Sequence, residues 1–161
     1  AILARLGFKV SAVTGKDADD FLTGIGASEI IPRRKMAGGS KRSMLRERWA
    51  AVVDTVGGHY LETAVKTTKY DGIITCCGNV AAPDIALTVY PFILRGVTLA
   101  GIDSAKTPMP RRRSIWQKLA GEWQLDIIET LADEIGLAEL DRRIEAMLAG
   151  ELKGRTIVNL R

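Results

Sequence analysis

The sequence predicts an α/β fold, in which buried parallel strands alternate with helices. Two apolar segments of strand length, residues 50–56 and 72–77, each end at glycine, and the first leads into a helical segment. A β-rich segment at residues 8–14 leads in the same way through Gly15 into a helix. This order of strand, glycine and helix is typical of a parallel sheet wound by crossover helices.

The first elements can be placed in order. Residues 1–6 predict the last turns of a helix that Gly7 ends, and residues 8–14 predict a strand. Residues 17–25 predict a helix with acidic residues in its first turn, and residues 29–32 predict a short strand. Because no N-cap residue precedes the first helix, we expect the chain to be a piece of a longer protein.

The middle of the chain predicts a second set of strands. The basic stretch at residues 33–48 predicts a loop followed by a helix. Residues 50–56 form an uninterrupted apolar run, which predicts a strand covered on both faces, and a helix follows through Lys69. Two further strands and a short helix between them are predicted at residues 72–77, 97–102 and 90–95.

The chain changes character after Pro110, where the strand and helix rhythm becomes less regular. Amphipathic helices are predicted at about residues 111–123 and 141–149, and strands at residues 134–140 and 155–160. We therefore expect residues 1–125 to form a wound domain. Residues 126–161 would form a C-terminal helix-strand return segment that packs elsewhere in an intact protein.

Composition excludes several classes of protein. The 161 residues are 47% hydrophobic and 26% charged, which is typical of a globular domain with a core. The two cysteines, Cys76 and Cys77, are neighbours and there is one histidine, so a disulfide framework and the common zinc motifs are excluded. Because no segment approaches the length of a membrane span and no signal peptide opens the chain, we expect a cytoplasmic protein that does not bind membranes.

The turn after the first predicted strand carries Thr14, Gly15 and Lys16. In a dinucleotide-binding sheet this turn meets the ribose of the adenosine. Short hydroxyl and amide donors with a lysine favour a 2′-phosphate, and therefore NADPH over NADH, and Arg33 after the next strand would add a second cation. On spacing alone, a polar turn that binds nothing explains the three residues equally well.

The glycine-rich fingerprint GxGxxG of dinucleotide-binding proteins is missing from its usual place. It lies between the first strand and first helix of such a sheet, and that turn would precede Ala1. The sequence therefore predicts a Rossmann-like doubly wound parallel sheet that lacks its first strand and its glycine-rich loop.

Segments spread over the whole chain resemble one family in order and spacing. They are residues 7–16, 22–33, 53–58, 77–78, 91–97, 101–104 and 154–158. In these segments the chain is similar to the YhdH/YhfP-type quinone oxidoreductases. These form the zinc-independent acrylyl-CoA reductase branch of the medium-chain dehydrogenase/reductase superfamily.

The resemblance implies an NADPH-dependent oxidoreductase that transfers a hydride to an activated carbon–carbon double bond, as in acrylyl-CoA, or to a quinone. It identifies no catalytic residue, and it implies no metal ligand in this chain. Lysine at position 16 stands where arginine is common in the family, which keeps the charge but loses the planar fork. Asn79 stands where an apolar residue is often found. The residues that the resemblance implies for cofactor binding are Thr14, Gly15, Lys16, Arg33, Asn79, Ile93, Ser104 and Arg155.

The resemblance also implies partners. The small-molecule substrate would be an enoyl-CoA or a quinone, and the family's substrate domain precedes the segment that this chain resembles. We therefore expect that the chain alone cannot turn over substrate. Family members are usually dimers, and the predicted strand at residues 97–102 would pair across a two-fold axis in a homodimer.

A second hypothesis is a non-catalytic basic α/β module that binds nucleic acid or an acidic partner. Its binding groups would be residues 33–48 and 111–113, and the net charge of +4 suits an anionic ligand. No aromatic platform accompanies these clusters, so solvated surface charge is the preferred explanation and we expect no nucleic acid partner. One cluster would also suit the phosphates of coenzyme A. Selectivity for a 2′-phosphorylated adenosine would favour the oxidoreductase, and steeply salt-dependent polyanion binding would favour the basic module.

Overall fold

The computed structural model describes residues 1–36 and 40–161. Within these residues helices and strands alternate along the chain, except that no α-helix separates β2 from β3. In order they are α1 (Ile2–Arg5), β1 (Val10–Thr14), α2 (Asp19–Gly24), β2 (Ala27–Pro32), β3 (Trp49–Asp54), α3 (Gly58–Thr67), β4 (Thr68–Cys76), α4 (Tyr90–Arg95), β5 (Thr98–Gly101), α5 (Met109–Ala120), β6 (Ala132–Gly136), α6 (Leu140–Leu148) and β7 (Arg155–Asn159). Short 3₁₀ turns lie at Arg33–Lys35, Ile128–Leu131 and Leu137–Glu139.

All strand pairs in the described residues are parallel, which confirms the predicted α/β class. β1 pairs with β2, β4 lies between β3 and β5, and β6 pairs with β7. The strands therefore form three separate parallel sheets rather than one continuous sheet. In the three-stranded sheet β3 and β5 are the edge strands.

The chain forms two compact units. One unit comprises Ala1–Pro32 and Pro110–Arg161, and it holds the β1–β2 and β6–β7 sheets. The other unit comprises Arg33–Met109 and holds the sheet of β3, β4 and β5. The domain boundary after residue 125 stays a prediction.

The core of the Arg33–Met109 unit lies between α3 and one face of its sheet. Leu61 and Val65 of α3 are buried against Ile74 of β4 and Val97, which precedes β5. Of the ten residues of α3, Gly58 and four others are buried, because the apolar positions of the helix recur at helical spacing. The partly buried side chains around this core are Val52, Cys76, Leu87, Phe92 and Leu99.

The opposite face of the same sheet is exposed in part. Side chains alternate along a strand, so Val53 points away from the face that α3 covers at Val52. Val53 is 63% exposed, and Ile73 on β4 is 43% exposed. The prediction that the strand at residues 50–56 is covered on both faces is therefore wrong, because α3 packs on one face only.

The predicted helix in the basic stretch at residues 33–48 is also wrong. The stretch begins with the 3₁₀ turn, and residues 40–48 are irregular, while residues 37–39, which carry part of the predicted loop, lie outside the described residues. The amide of Leu45 donates a hydrogen bond of 2.8 Å to the carbonyl of Lys66, at the end of α3. The stretch therefore supplies donors to carbonyls that the helix end leaves unpaired, and this competes with forming a helix of its own.

In the unit of Ala1–Pro32 and Pro110–Arg161, β6, α6 and β7 follow one another as strand, helix and strand. The strand predicted at residues 134–140 lies at Ala132–Gly136 instead, and the 3₁₀ turn at Leu137–Glu139 follows it. Ala132 of β6 lies level with Arg155 of β7. Arg143 of α6 donates hydrogen bonds to Asp133 and, at 2.9 Å, to the hydroxyl of Thr156. These bonds attach the helix to both strands that it connects.

No helix in the described part of the chain has the length and apolar character needed to cross a membrane.

Candidate cofactor-binding site

The turn after β1 carries three of the predicted cofactor-binding residues, Thr14, Gly15 and Lys16. The Oγ1 atom of Thr14 accepts a hydrogen bond of 3.0 Å from the backbone amide of Lys16. This local bond closes a turn at the end of the strand, in the manner usual for threonine. Because the threonine oxygen is the acceptor here, its own hydroxyl proton is left to be donated to a ligand.

The side chain of Lys16 contacts the C-terminal part of the same compact unit. Its Nζ atom donates a hydrogen bond of 2.6 Å to the carbonyl oxygen of Leu152, in the loop between α6 and β7. An ammonium group has three protons, so this bond leaves two for an anion. A hydroxyl and a positively charged group thus lie in one turn, which is a donor set that suits a phosphate.

Arg155 is the first residue of β7 and lies in the same unit as the Thr14–Lys16 turn. It is exposed, and its guanidinium donates a hydrogen bond of 3.1 Å to the carbonyl of Gly154. Arg155 lies three positions after Leu152, whose carbonyl accepts the hydrogen bond from Lys16. The loop at residues 152–155 therefore connects two of the predicted site residues, Lys16 and Arg155.

Arg33 lies in the other compact unit, in the 3₁₀ turn after β2. Its guanidinium carbon lies 5.9 Å from the centroid of the Tyr60 ring, within the range of a cation–π contact. The ring of His59 lies 4.0 Å from the same tyrosine ring. This aromatic partner of Arg33 was not anticipated from the sequence, and the role of Arg33 as a second phosphate cation stays a prediction.

The carboxyl ends of β3, β4 and β5 lie side by side. The amide of Cys77 donates a hydrogen bond of 3.0 Å to the carbonyl of Asp54, and the amide of Ile102 donates one of 2.9 Å to the carbonyl of Cys76. The sheet ladder is thus continued to the edge where ligands bind in open α/β sheets. The buried carboxylate of Asp54 accepts a hydrogen bond of 3.0 Å from the amide of Gly57, which begins the turn into α3.

The turn before α3 packs closely against the segment after β4. The amide of Ala81 donates a hydrogen bond of 2.8 Å to the carbonyl of Val56. Gly57 has a φ of +72°, and a Cβ atom at this position would lie 2.5 Å from the carbonyl oxygen of Ala82. Only glycine fits there, and this close approach brings the segment with Asn79 to the carboxyl edge of the sheet.

Asn79, Ile93 and Ser104 all lie in the Arg33–Met109 unit and are exposed. Ile93 is on α4 and is 67% exposed, next to Leu94, which is 56% exposed. Ser104 follows β5, in a turn that the carboxylate of Asp103 closes by accepting hydrogen bonds from two backbone amides at 3.0 and 3.1 Å. Each of the three residues is accessible to a ligand.

The predicted site residues fall into two groups of four, one in each compact unit. The first group is Thr14, Gly15, Lys16 and Arg155, and the second is Arg33, Asn79, Ile93 and Ser104. Contacts described above connect members of the first group through the loop at residues 152–155.

The contact between Lys16 and the carbonyl of Leu152 was not predicted from the sequence. The two residues are 136 positions apart, and a backbone carbonyl has no signature in the sequence. The one available signal was the glycine pair around the loop, Gly150 and Gly154, which have φ values of +78° and +71°. Such glycines mark a chain that turns sharply, but they do not say what it approaches.

Among residues 1–36 and 40–161, no group of three or more histidine, cysteine, aspartate or glutamate side chains is arranged to hold a metal ion.

Comparison with known proteins places the chain in a family. A family model described as zinc-binding dehydrogenase matches residues 1–122. The chain belongs to this family. Acrylyl-CoA reductase AcuI of Ruegeria pomeroyi is 36% identical over 161 residues, which make up 99% of the chain and 49% of AcuI.

Two solved structures resemble the chain closely. Escherichia coli K-12 YhdH with bound NADPH has a TM-score of 0.91 and 35% identity, and the match covers 99% of this chain and 49% of YhdH. Bacillus subtilis YhfP with NAD bound has a TM-score of 0.92 and 35% identity, with the same coverage of 99% and 49%. The chain thus spans about half the length of these relatives. The expected resemblance to YhdH/YhfP-type oxidoreductases and the Rossmann-like α/β fold are confirmed.

Proposed function

We propose that this chain forms the NADPH-binding portion of an oxidoreductase. The observation that carries the proposal is the turn after β1, where the Thr14 hydroxyl and the Lys16 amide and ammonium lie together. A hydroxyl donor beside a cation is the chemistry that a ribose 2′-phosphate requires. The resemblance to YhdH, whose solved structure holds NADPH, supports this assignment.

The side chains in the turn after β1 favour NADPH over NADH. In dinucleotide-binding sheets that take NAD, an acidic residue after the second strand accepts the ribose 2′-hydroxyl. Here the turn presents Thr14 and then Lys16, and a lysine has no acceptor for a hydroxyl proton. Because YhfP was solved with NAD, the preference needs a direct measurement on this chain.

The proposed reaction is hydride transfer to an activated carbon–carbon double bond of an acrylyl-CoA-like thioester, or to a quinone. NADPH supplies the hydride when bound. The residues of this chain would fix the adenosine 2′-phosphate at Thr14, Gly15 and Lys16, with Arg155 near the same loop. That the chain alone does not turn over substrate stays a prediction, and oxidation of NADPH by the chain in the presence of acrylyl-CoA would contradict it.

The residues at the carboxyl edge of β3, β4 and β5 would line the rest of the cofactor. Asn79 is held at this edge by the close packing around Gly57, and Ser104 by the turn at Asp103. Ile93 would offer its exposed apolar side chain to the nicotinamide side.

A homodimer is a further part of the proposal. β5 lies at the edge of its sheet, with β4 as its neighbour on one side. An open strand edge presents unpaired amides and carbonyls to a second copy of the same strand. We expect the chain to sediment as a dimer and the Leu99→Pro variant to sediment as a monomer. This result would support the pairing.

Isothermal titration calorimetry of the chain with 2′,5′-ADP, with 5′-AMP and with heparin tests the proposed function. We expect 2′,5′-ADP to bind at least about tenfold more tightly than 5′-AMP, since the two ligands differ by one phosphate of nearly two charges. Heparin should bind weakly at about 0.15 M salt. Equal affinity for the two nucleotides, together with tight and steeply salt-dependent heparin binding, would instead favour the basic module.

A further inference from the structure

The loop between α6 and β7 has a defined conformation. At the end of α6, the amide of Gly150 donates a hydrogen bond of 3.0 Å to the carbonyl of Met147, and the amide of Glu151 donates one of 3.0 Å to the carbonyl of Ala146. The left-handed φ of Gly150 is typical of a helix that ends with such bonds. The chain therefore leaves α6 in a fixed direction.

The other end of the loop is fixed by packing within the same unit. Gly154 has a φ of +71°, and a Cβ atom there would overlap the carbonyl of Leu131 and lie 3.8 Å from the ring of Phe21 in α2. The backbone of residue 154 is thus pressed against the 3₁₀ turn at Ile128–Leu131. Held at both ends, the loop presents the carbonyl of Leu152 to Lys16 in one geometry.

Exposure alternates along the loop. Leu152 and Gly154 are half-buried, whereas Lys153 and Arg155 are exposed. Both cations are therefore accessible to an anion from solvent, one on each side of the bend at Gly154. Glu151 is the one acidic residue among residues 150–155, so the loop adds net positive charge beside the ammonium of Lys16.

We propose that residues 152–155 form the second wall of the 2′-phosphate site, with Lys153 as a specificity-determining cation and the Leu152 carbonyl as the group that positions Lys16. This inference rests on the proposed NADPH-binding function. The ammonium of Lys16 is directed by one hydrogen bond of 2.6 Å and keeps two protons for phosphate oxygens. A phosphate of nearly two charges between two lysines gains from both, whereas an adenosine without it gains from neither.

The variants for the test follow from the same geometry. Lys153→Met removes the charge and keeps a flexible side chain of similar length, and Lys153→Arg keeps the charge. Lys9→Met is the matched control, because Lys9 is also an exposed lysine of this unit but precedes β1. It is separated from Thr14 by the length of the strand, about 16 Å at 3.3 Å per residue.

Calorimetric titration of the unmodified chain and the three variants with 2′,5′-ADP and 5′-AMP tests the proposal. We expect Lys153→Met to weaken 2′,5′-ADP about threefold to tenfold and to leave 5′-AMP unchanged, while Lys153→Arg and Lys9→Met bind as the unmodified chain does. Unchanged 5′-AMP affinity also shows that the variant is folded. If the unmodified chain prefers 2′,5′-ADP and Lys153→Met matches Lys9→Met, the role of the loop is overturned and the proposed function stands. If the unmodified chain shows no preference, both are overturned.

Discussion

The amide of Gly57 donates a hydrogen bond of 3.0 Å to the carboxylate of Asp54, and this pair fixes the turn from β3 into α3. The carboxylate is buried, and Gly57 adopts a φ of +72° that a residue with a Cβ atom rarely adopts. The carbonyl of Asp54 also accepts the amide of Cys77 at 3.0 Å. One aspartate thereby ties together the carboxyl ends of two strands and the start of a helix.

Replacing Asp54 with alanine should lower the free energy of unfolding by about 1–3 kcal/mol, because the amide of Gly57 loses its acceptor in a buried place. Asp54→Asn should cost less, since its amide oxygen can accept the same hydrogen bond. Urea unfolding followed by circular dichroism measures both variants. Asp84→Ala is the matched control at an exposed aspartate and should change stability by no more than about 0.5 kcal/mol. Equal effects at Asp54 and Asp84 would contradict this role.

Gly57→Ala should be destabilising by about 2 kcal/mol or more. The new methyl group would lie 2.5 Å from the carbonyl oxygen of Ala82, and the left-handed backbone adds strain of its own. Gly24→Ala is the control, because Gly24 lies in α2 and a Cβ atom there would meet nothing within 4 Å. That variant should be neutral or slightly stabilising. Thermal unfolding that showed the same shift for both variants would refute the close-packing argument.

Arg95 of α4 ties the end of α3 to the segment before β3. Its guanidinium donates hydrogen bonds to the carbonyls of Lys66 at 3.0 Å, of Thr68 at 3.2 Å and of Leu45 at 2.7 Å. A positive group at the carboxyl end of a helix also interacts favourably with the helix dipole. The guanidinium is largely buried, with 14% of the side chain exposed.

Arg95→Met should reduce the free energy of unfolding by about 2 kcal/mol, because three carbonyls lose a charged donor. Arg95→Lys should recover less than half of the loss, since an ammonium cannot reproduce the planar fork. The ion pair of Arg95 with Glu47, at 3.2 Å, involves a side chain that is 44% exposed and should contribute little. The control for urea unfolding is Arg34→Met, because Arg34 is an exposed arginine of the same unit. If Arg34→Met lost as much unfolding free energy as Arg95→Met, the capping role of Arg95 would be contradicted.

Substitution of Lys16 should act on ligand binding and little on stability. Lys16→Met should weaken 2′,5′-ADP binding by about tenfold or more while 5′-AMP binding stays the same, because in the proposed site this charge would bind only the 2′-phosphate. Lys16→Arg should bind 2′,5′-ADP at least as tightly as the unmodified chain, since the guanidinium offers a bidentate fork. Calorimetry measures both, and loss of 5′-AMP binding in Lys16→Met would show a wider structural effect.

Local patterns predicted most of the secondary structure. The strand at residues 8–14 and the helix at residues 90–95 depend on short-range alternation and on glycine stops, and the structure has them at Val10–Thr14 and Tyr90–Arg95. The helix expected within residues 33–48 fails because its competitors lie far away in the sequence. The amide of Leu45 donates a hydrogen bond to the carbonyl of Lys66 instead, and the carbonyl of Leu45 accepts one from the guanidinium of Arg95.

The candidate site was predictable only where it depends on side-chain chemistry. Thr14 and Lys16 could be found because hydroxyl and ammonium groups after a strand are typical of phosphate turns. The Leu152 carbonyl could not be found, since any residue can supply one. The exposure of Val53 also depends on tertiary packing, because an apolar strand does not reveal how many of its faces are covered.

The most direct test of the account is a ¹H–¹⁵N NMR titration of the chain with 2′,5′-ADP and, separately, with 5′-AMP. We expect 2′,5′-ADP to shift the amide signals of Gly15, Lys16 and residues 152–155, and 5′-AMP to leave these signals almost unchanged. Shifts confined to the basic segments at residues 40–48 and 111–113, or identical shifts with the two nucleotides, would contradict a 2′-phosphate site at the turn after β1.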